Sequence, residues 1–214
     1  PHYAVTKLLC LENTFSGQVQ PQSELDELAK RAHSKNLKVH LDGARLFNAH
    51  IKTGLSMKQL TNSFDSVSIC LSKGLGAPVG SLLVADQETI DKAHRLRKML
   101  GGGMRQVGVI ASCGMYALKN NIQRLQEDHD NAKILAEGLS SIEELSVDFS
   151  ESQTNMVFVN CPEQHRESLE RFLFDKEIII SNLDRGRLVC HLGIDEKDIH
   201  FVIAAFKEYF KAKA

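Results

Sequence analysis

Short apolar runs alternate with amphipathic helical stretches through the first half of the chain, and this alternation restricts the fold more than any other feature. Residues 7–11, 38–42, 67–71 and 80–85 each carry enough aliphatic or β-branched side chains for a short strand. Between the first two, residues 23–36 place Leu25, Leu28, Ala29 and Ala32 on one stripe, with Ser23 and Asp26 in capping-box spacing. A short helix is expected from Ser56, carrying Met57 and Leu60, and Asp86 can cap another through Ile90, Ala93, Arg97 and Leu100. Strands and helices in this order build a mainly parallel sheet, an α/β fold.

The run 67–71 ends in Ser72-Lys73-Gly74 and a loop with Gly76, Pro78 and Gly80. Such a loop stops the strand and lets backbone approach a ligand closely. Lys73 therefore stands where a strand gives way to a loop, the place where open α/β sheets hold ligands. Among apolar and small neighbours, an amine can shed its charge by desolvation and act as a nucleophile. A lysine at a strand end is more often simply solvated. A second feature upstream shifts the balance.

Lys38-Val39-His40-Leu41-Asp42 reads as a strand with Val39 and Leu41 on one face and Asp42 at its carboxyl end. The stretch from Asp42 to Lys73 is long enough for a helical crossover between parallel strands. Two such neighbours put the acid and the amine on one sheet edge. That pairing fits pyridoxal phosphate chemistry, in which a lysine carries the aldehyde and an acid pairs with the pyridinium nitrogen.

His-Leu-Asp-Gly-Ala-Arg-Leu-Phe-Asn-Ala (40–49), Ser-Lys-Gly-Leu-Gly-Ala-Pro-Val-Gly-Ser (72–81) and Gly-Gly-Gly-Met-Arg-Gln (101–106) together resemble the low-specificity L-threonine aldolases. These are fold-type I pyridoxal phosphate enzymes of the β-eliminating lyase group. The resemblance runs from about Leu8 to the C-terminus. It implies part of an aspartate-aminotransferase-like large domain over residues 1–120, followed by a smaller α+β domain over 121–214. The family's N-terminal part is expected to lie outside the chain.

The resemblance also implies the roles. Lys73 would hold pyridoxal 5'-phosphate as the catalytic lysine, and Asp42 would keep its ring nitrogen protonated. Arg45 would serve both cofactor and substrate, and Arg187, which opens Arg-Leu-Val-Cys-His, would bind the substrate carboxylate. Arg105 would reach a cofactor phosphate, from a neighbouring subunit. The reaction implied is cleavage of L-threonine or L-allo-threonine to glycine and an aldehyde, in amino-acid catabolism, by a homo-oligomer (dimer or tetramer). In one respect the chain departs from the pattern. The family's Leu-Glu-Asn-Thr-His ends here in Phe15, and a phenyl ring cannot exchange a proton as an imidazole does. A non-catalytic fragment or pseudoenzyme that keeps the fold is the alternative.

The net charge of −1 and the lack of a basic cluster argue against nucleic acid as a partner. No apolar stretch reaches the length of a membrane span, so a soluble protein with no membrane partner is expected. The resemblance implies a small amino-acid substrate and a cytoplasmic protein, with a mitochondrial place left open. Cys10, Cys70, Cys113, Cys161 and Cys190 are odd in number and lack Cys-x-x-Cys spacing, which predicts reduced core residues, with no disulfide framework or metal site. His40, His50 and His191 read as hydrogen-bonded structural histidines, since none has the spacing of a zinc site.

In the second half, two long helices are expected over 106–118 and 122–139, with the domain boundary at the break between them. Strands are expected at 157–159, 178–180 and 188–192, and a helix at 169–173. A last helix from Asp195, with Asp198 in capping-box spacing, carries Ile199, Val202, Ile203, Phe206 and Phe210.

Overall fold

Apolar alternation in three neighbouring strands builds the sheet that positions the site. The computed structural model describes all residues except Pro1, Ser152, Ser181 and Ala214, and the chain divides into two units, Pro1–Leu125 and Gln126–Ala214. The first unit runs β1 (Leu8–Glu12), α1 (Gln22–His33), β2 (Lys38–Asp42), α2 (Leu46–Thr53), α3 (Met57–Thr61), β3 (Ser66–Cys70), β4 (Ser81–Ala85), α4 (Gln87–Met99) and α5 (Gly108–Asn120). Its sheet has the order β1-β2-β3-β4.

β1, β2 and β3 are parallel, and β4 returns antiparallel to β3. The ten residues between β3 and β4 are too few for a crossover helix, so the chain can only turn back. Along β2 the expected alternation holds: Val39 and Leu41 are fully buried, His40 is half-buried and Asp42 is exposed. Leu41, Val67 and Ile69 pack with Leu46, Ala49 and Leu60 of the crossover helices. On the other side Val39 meets Ala29 and Ala32 of α1.

Three readings of this unit need correction. Helix α1 starts one residue earlier than expected and has no side-chain cap. Pro21 precedes it with φ −57°, a torsion already suited to helix entry. Asp26 instead accepts from Gln22 Nε2 (2.9 Å) and Ser63 Oγ (2.7 Å). Helix α2 was not anticipated, although Gly54, at φ 72°, is the left-handed stop that such a helix needs. Among the cysteines, all five are free, but only Cys161 and Cys190 are buried; Cys10 is exposed and Cys70 and Cys113 are half-buried. Burial first, and then the negative charge of Asp128, push the Cys190 thiol up to about 12.

The expected caps at Ser56 and Asp86 both form. Ser56 and Gln59 make a reciprocal capping box, and Asp86 accepts from Thr89 N at 2.8 Å. Asp65, just before β3, gathers Lys38 Nζ (2.7 Å), His33 Nε2 (2.8 Å) and Val39 N (2.8 Å). Partial burial pushes its carboxyl up, but these donors outweigh that and hold it down at about 2.

The second unit runs α6 (Leu125–Ser140), β5 (Ser146–Asp148), β6 (Met156–Asn160), α7 (Glu163–Phe174), β7 (Gly186–Val189) and α8 (Glu196–Lys211). Its three strands are antiparallel in the order β5-β6-β7. Leu139, Val157, Val159, Leu169, Leu173 and Phe206 share one core. The Asp195–Asp198 capping box opens α8 as expected. Residues 178–180 do not form a strand: Ile178 N closes the end of α7 on Leu173 O (2.9 Å), while Ile178 and Ile180 pack against the core. Apolar packing, not ladder pairing, explains Ile178 and Ile180, while Ile179 between them is exposed. Among the described residues no helix is long and apolar enough to cross a membrane.

Candidate active site

The carboxyl ends of β1, β2 and β3 lie in register, with Asp42 opposite both Glu12 and Ser68. The β2–α2 turn is pressed against β3: Gly43 N donates to Ser68 O at 2.8 Å. A Cβ on Gly43 would lie 2.9 Å from that oxygen and 3.1 Å from Leu46 Cβ, so only glycine permits this approach. Asp42 Oδ1 accepts from Ala44 N (3.0 Å), which fixes an exposed carboxylate at the sheet edge. Arg45 follows as the half-buried residue capping α2.

Lys73 stands three residues past the end of the neighbouring parallel strand, in a stapled loop. Gly76 N donates to Lys73 O (2.8 Å), Ala77 N to Leu71 O (2.9 Å) and Leu71 N to Gly80 O (2.9 Å). Asn121 Nδ2 and Arg124 Nη1 donate to the carbonyls of Leu75 (2.8 Å) and Gly74 (3.3 Å). Leu75 and Ala77 are buried against Leu71, Ala117 and Leu125. The loop is thus rooted in the core while Lys73 itself is exposed. The structure therefore brings Asp42, Arg45 and Lys73 to one edge of one sheet.

The remaining expected residues stand elsewhere. Arg105 is exposed in the turn between α4 and α5. Arg187 is exposed on β7 of the second unit, facing a cavity of about 620 Å³ that His191 also lines. Phe15 is 57 % exposed. It begins a tight turn, exchanging two backbone hydrogen bonds with Gln18 across Ser16 (φ 49°) and Gly17 (φ 83°).

Sequence reasoning passed over four residues at this edge. Asn121 and Arg124 lie in the break between α5 and α6, where the sequence predicts a helix at Arg124, and hold the Lys73 loop. Asn13 and Thr14 follow β1; both are buried, and Asn13 N donates to Asp42 O at 3.1 Å. Asn13 Nδ2 and Thr14 Oγ1 have no hydrogen-bond partner among the described residues. Buried polar atoms left in this way mark a place where a polar ligand or water belongs. An amine, a carboxylate, a guanidinium and two orphaned polar groups form a donor set that fits pyridoxal phosphate. His40 and His50 are structural, bonded to Ser66 Oγ (2.8 Å) and Leu55 O (2.6 Å).

The chain is 46% identical over 208 residues to the low specificity L-threonine aldolase of Escherichia coli K12, covering 97% of this chain and 62% of that protein. It is 42% identical over 217 residues to low-specificity L-threonine aldolase 1 of Arabidopsis thaliana, covering 96% and 60%. The chain thus spans about three-fifths of the length of these relatives. Among solved structures, a threonine aldolase from Leishmania major superposes with TM-score 0.78 at 20% identity, over 97% of this chain and 62% of that one. A serine palmitoyltransferase from S. paucimobilis holding a pyridoxal phosphate–myriocin aldimine superposes with TM-score 0.71 at 20% identity, over 98% and 55%. These two likenesses concern the fold. The profile of the beta-eliminating lyases matches residues 1–162, and the chain belongs to that family.

Proposed function

We propose that the protein cleaves L-threonine and related β-hydroxy-α-amino acids to glycine and an aldehyde, with pyridoxal 5'-phosphate as cofactor. The observation that carries this reading is the placement of Asp42 at the carboxyl end of β2 and of Lys73 just past that of the adjacent parallel strand β3. The identity to named aldolases favours it over a non-catalytic scaffold.

When bound, the cofactor supplies an electron sink for the pair left at Cα as the Cα–Cβ bond breaks. Lys73 is the residue that would hold the cofactor, through its side-chain amine. The Asp42 carboxylate favours the protonated ring nitrogen, as an opposite charge does. Arg105 serves the phosphate, because a guanidinium fork matches phosphate oxygens. The resemblance assigns Arg45 and Arg187 to the substrate carboxylate, and a held carboxylate would orient Cα–Cβ for cleavage. The proton of the substrate hydroxyl must pass to a group other than Phe15.

A homo-oligomer, dimer or tetramer, is part of the proposal. No residue of α4 is buried, and Leu96, Met99 and Leu100 are exposed near its end, as are Val109, Met115 and Tyr116 on α5. Apolar area of this extent marks an interaction surface. The free cysteines, one of them exposed, suit a reducing compartment, and we place the protein in the cytoplasm. The test is glycine formation by the native enzyme from L-threonine with pyridoxal phosphate present. Stoichiometric glycine and acetaldehyde are expected, and consumption of threonine without glycine would contradict the reading.

A further inference from the structure

We propose that His191 is a further carboxylate ligand, acting beside Arg187 on the substrate; this rests on the carboxylate role just given to Arg187. Both side chains line the 620 Å³ cavity of the second unit, with Ile179 and Phe201 on its apolar wall. The other charged groups of that wall are already engaged or solvated. Lys176 is paired with Glu208 at 3.0 Å, and Asp198 accepts from Asp195 N at 3.0 Å in the cap of α8. Glu177 is exposed. Arg187 has no ion pair or side-chain hydrogen bond among the described residues.

The imidazole has one nitrogen fixed. Gly193 N donates to His191 Nδ1 at 3.2 Å. A backbone N–H can only donate, so Nδ1 presents its lone pair and the neutral ring carries its proton on Nε2. His191 therefore offers an Nε2–H donor and does not serve as a base through that nitrogen. A carboxylate has about four acceptor sites. The Arg187 fork fills two, Arg45 adds a third donor, and the His191 Nε2–H suits the site that remains.

The backbone joining the two residues is held from both sides. Arg187 pairs with Phe158 in the β6–β7 ladder. Past the end of β7, Cys190 N donates to Asn155 O and Asn155 Nδ2 donates to Cys190 O, both at 2.9 Å. Asn155 is buried. Beyond His191, Ile194 N donates to His191 O (2.9 Å), and Asn131 Nδ2 donates to Ile194 O (3.3 Å). A recognition pair on such a frame loses little freedom on binding.

The test compares His191→Phe, His191→Gln and Arg187→Ala in the native enzyme. His191→Phe is expected to raise KM for L-threonine about tenfold, the effect of one hydrogen bond to a charged group, with kcat within about twofold. His191→Gln, which keeps an N–H donor, restores most of the loss. If Arg187→Ala raises KM and His191→Phe does not, the inference falls while the aldolase reading stands. A long-range ¹H–¹⁵N spectrum gives a readout independent of turnover. It should show the Nε2–H tautomer of His191 and a shift of that resonance when glycine is added with pyridoxal phosphate, lost in Arg187→Ala. An Nδ1–H tautomer, or a resonance that glycine leaves unmoved, would overturn the inference even in an enzyme that cleaves no threonine.

Discussion

Gly43 shows how single atoms position the site. Its missing Cβ lets the β2–α2 turn close on Ser68 O, which holds Asp42 at the edge beside the Lys73 strand. Gly43→Ala is expected to cost about 1–3 kcal/mol, the usual effect of forcing an extra carbon into a filled space. Urea unfolding would check it, and an unchanged midpoint would show that the turn has room to yield. At Phe15, exposure on a tight turn makes substitution safe for the fold, within about 0.5 kcal/mol. Phe15→His is expected to raise threonine cleavage about a hundredfold, the low end of what a proton-transferring group adds. A steady-state rate that stays level or falls would show that position 15 is not where the proton leaves. Asp42 and Lys73 were legible in the sequence because strand ends can be read from alternating apolar residues. Asn13 and Thr14 were not, since their burial depends on how β1 pairs with β2, which local sequence does not reveal.

Single elements here draw their definition from partners distant in the chain. Asp65 ties the end of α1 to the start of β2 through His33, Lys38 and Val39 N. With its carboxyl at about 2 against an ordinary 3.8, the folded state binds this proton less readily than the unfolded chain. The stabilisation is therefore complete above about pH 4–5 and fades as pH falls toward 2. Asp65→Asn should lower the unfolding free energy by about 2 kcal/mol at neutral pH, with the two proteins converging in acid. Thermal melts between pH 7 and 2 would show this, and parallel curves throughout would refute it. At α8, Asp195→Ala removes the acceptor for Lys197 N and Asp198 N and should cost about 1 kcal/mol, read by urea unfolding. A loss below about 0.3 kcal/mol would mean that packing of Ile199, Ile203 and Phe206 alone sets that helix. The cap of α8 was readable because a capping box is a local code. The isoleucine run 178–180 misled because apolar composition signals a strand, whereas here Ile178 and Ile180 are only partly buried, Ile179 is exposed, and the run has no ladder partner among the described residues.

For the whole molecule, the parallel β1–β2–β3 arrangement was legible from strand–helix alternation, and the antiparallel β4 was hidden in the length of one loop. Its residues Leu82, Leu83 and Val84 are exposed on both faces of the strand, and α4 buries nothing. Light scattering on the native enzyme is expected to give a dimer or larger, and a monomer at micromolar concentration would remove the oligomer from the proposal. The central claim is that Lys73 is the lysine that carries the cofactor. Its most direct test is to load the native enzyme with pyridoxal phosphate, reduce with borohydride and map the modified peptide. A single adduct on the peptide containing Lys73, absent from Lys73→Ala, is the expected result. An adduct on another lysine, or labelling that survives in Lys73→Ala, would contradict the account.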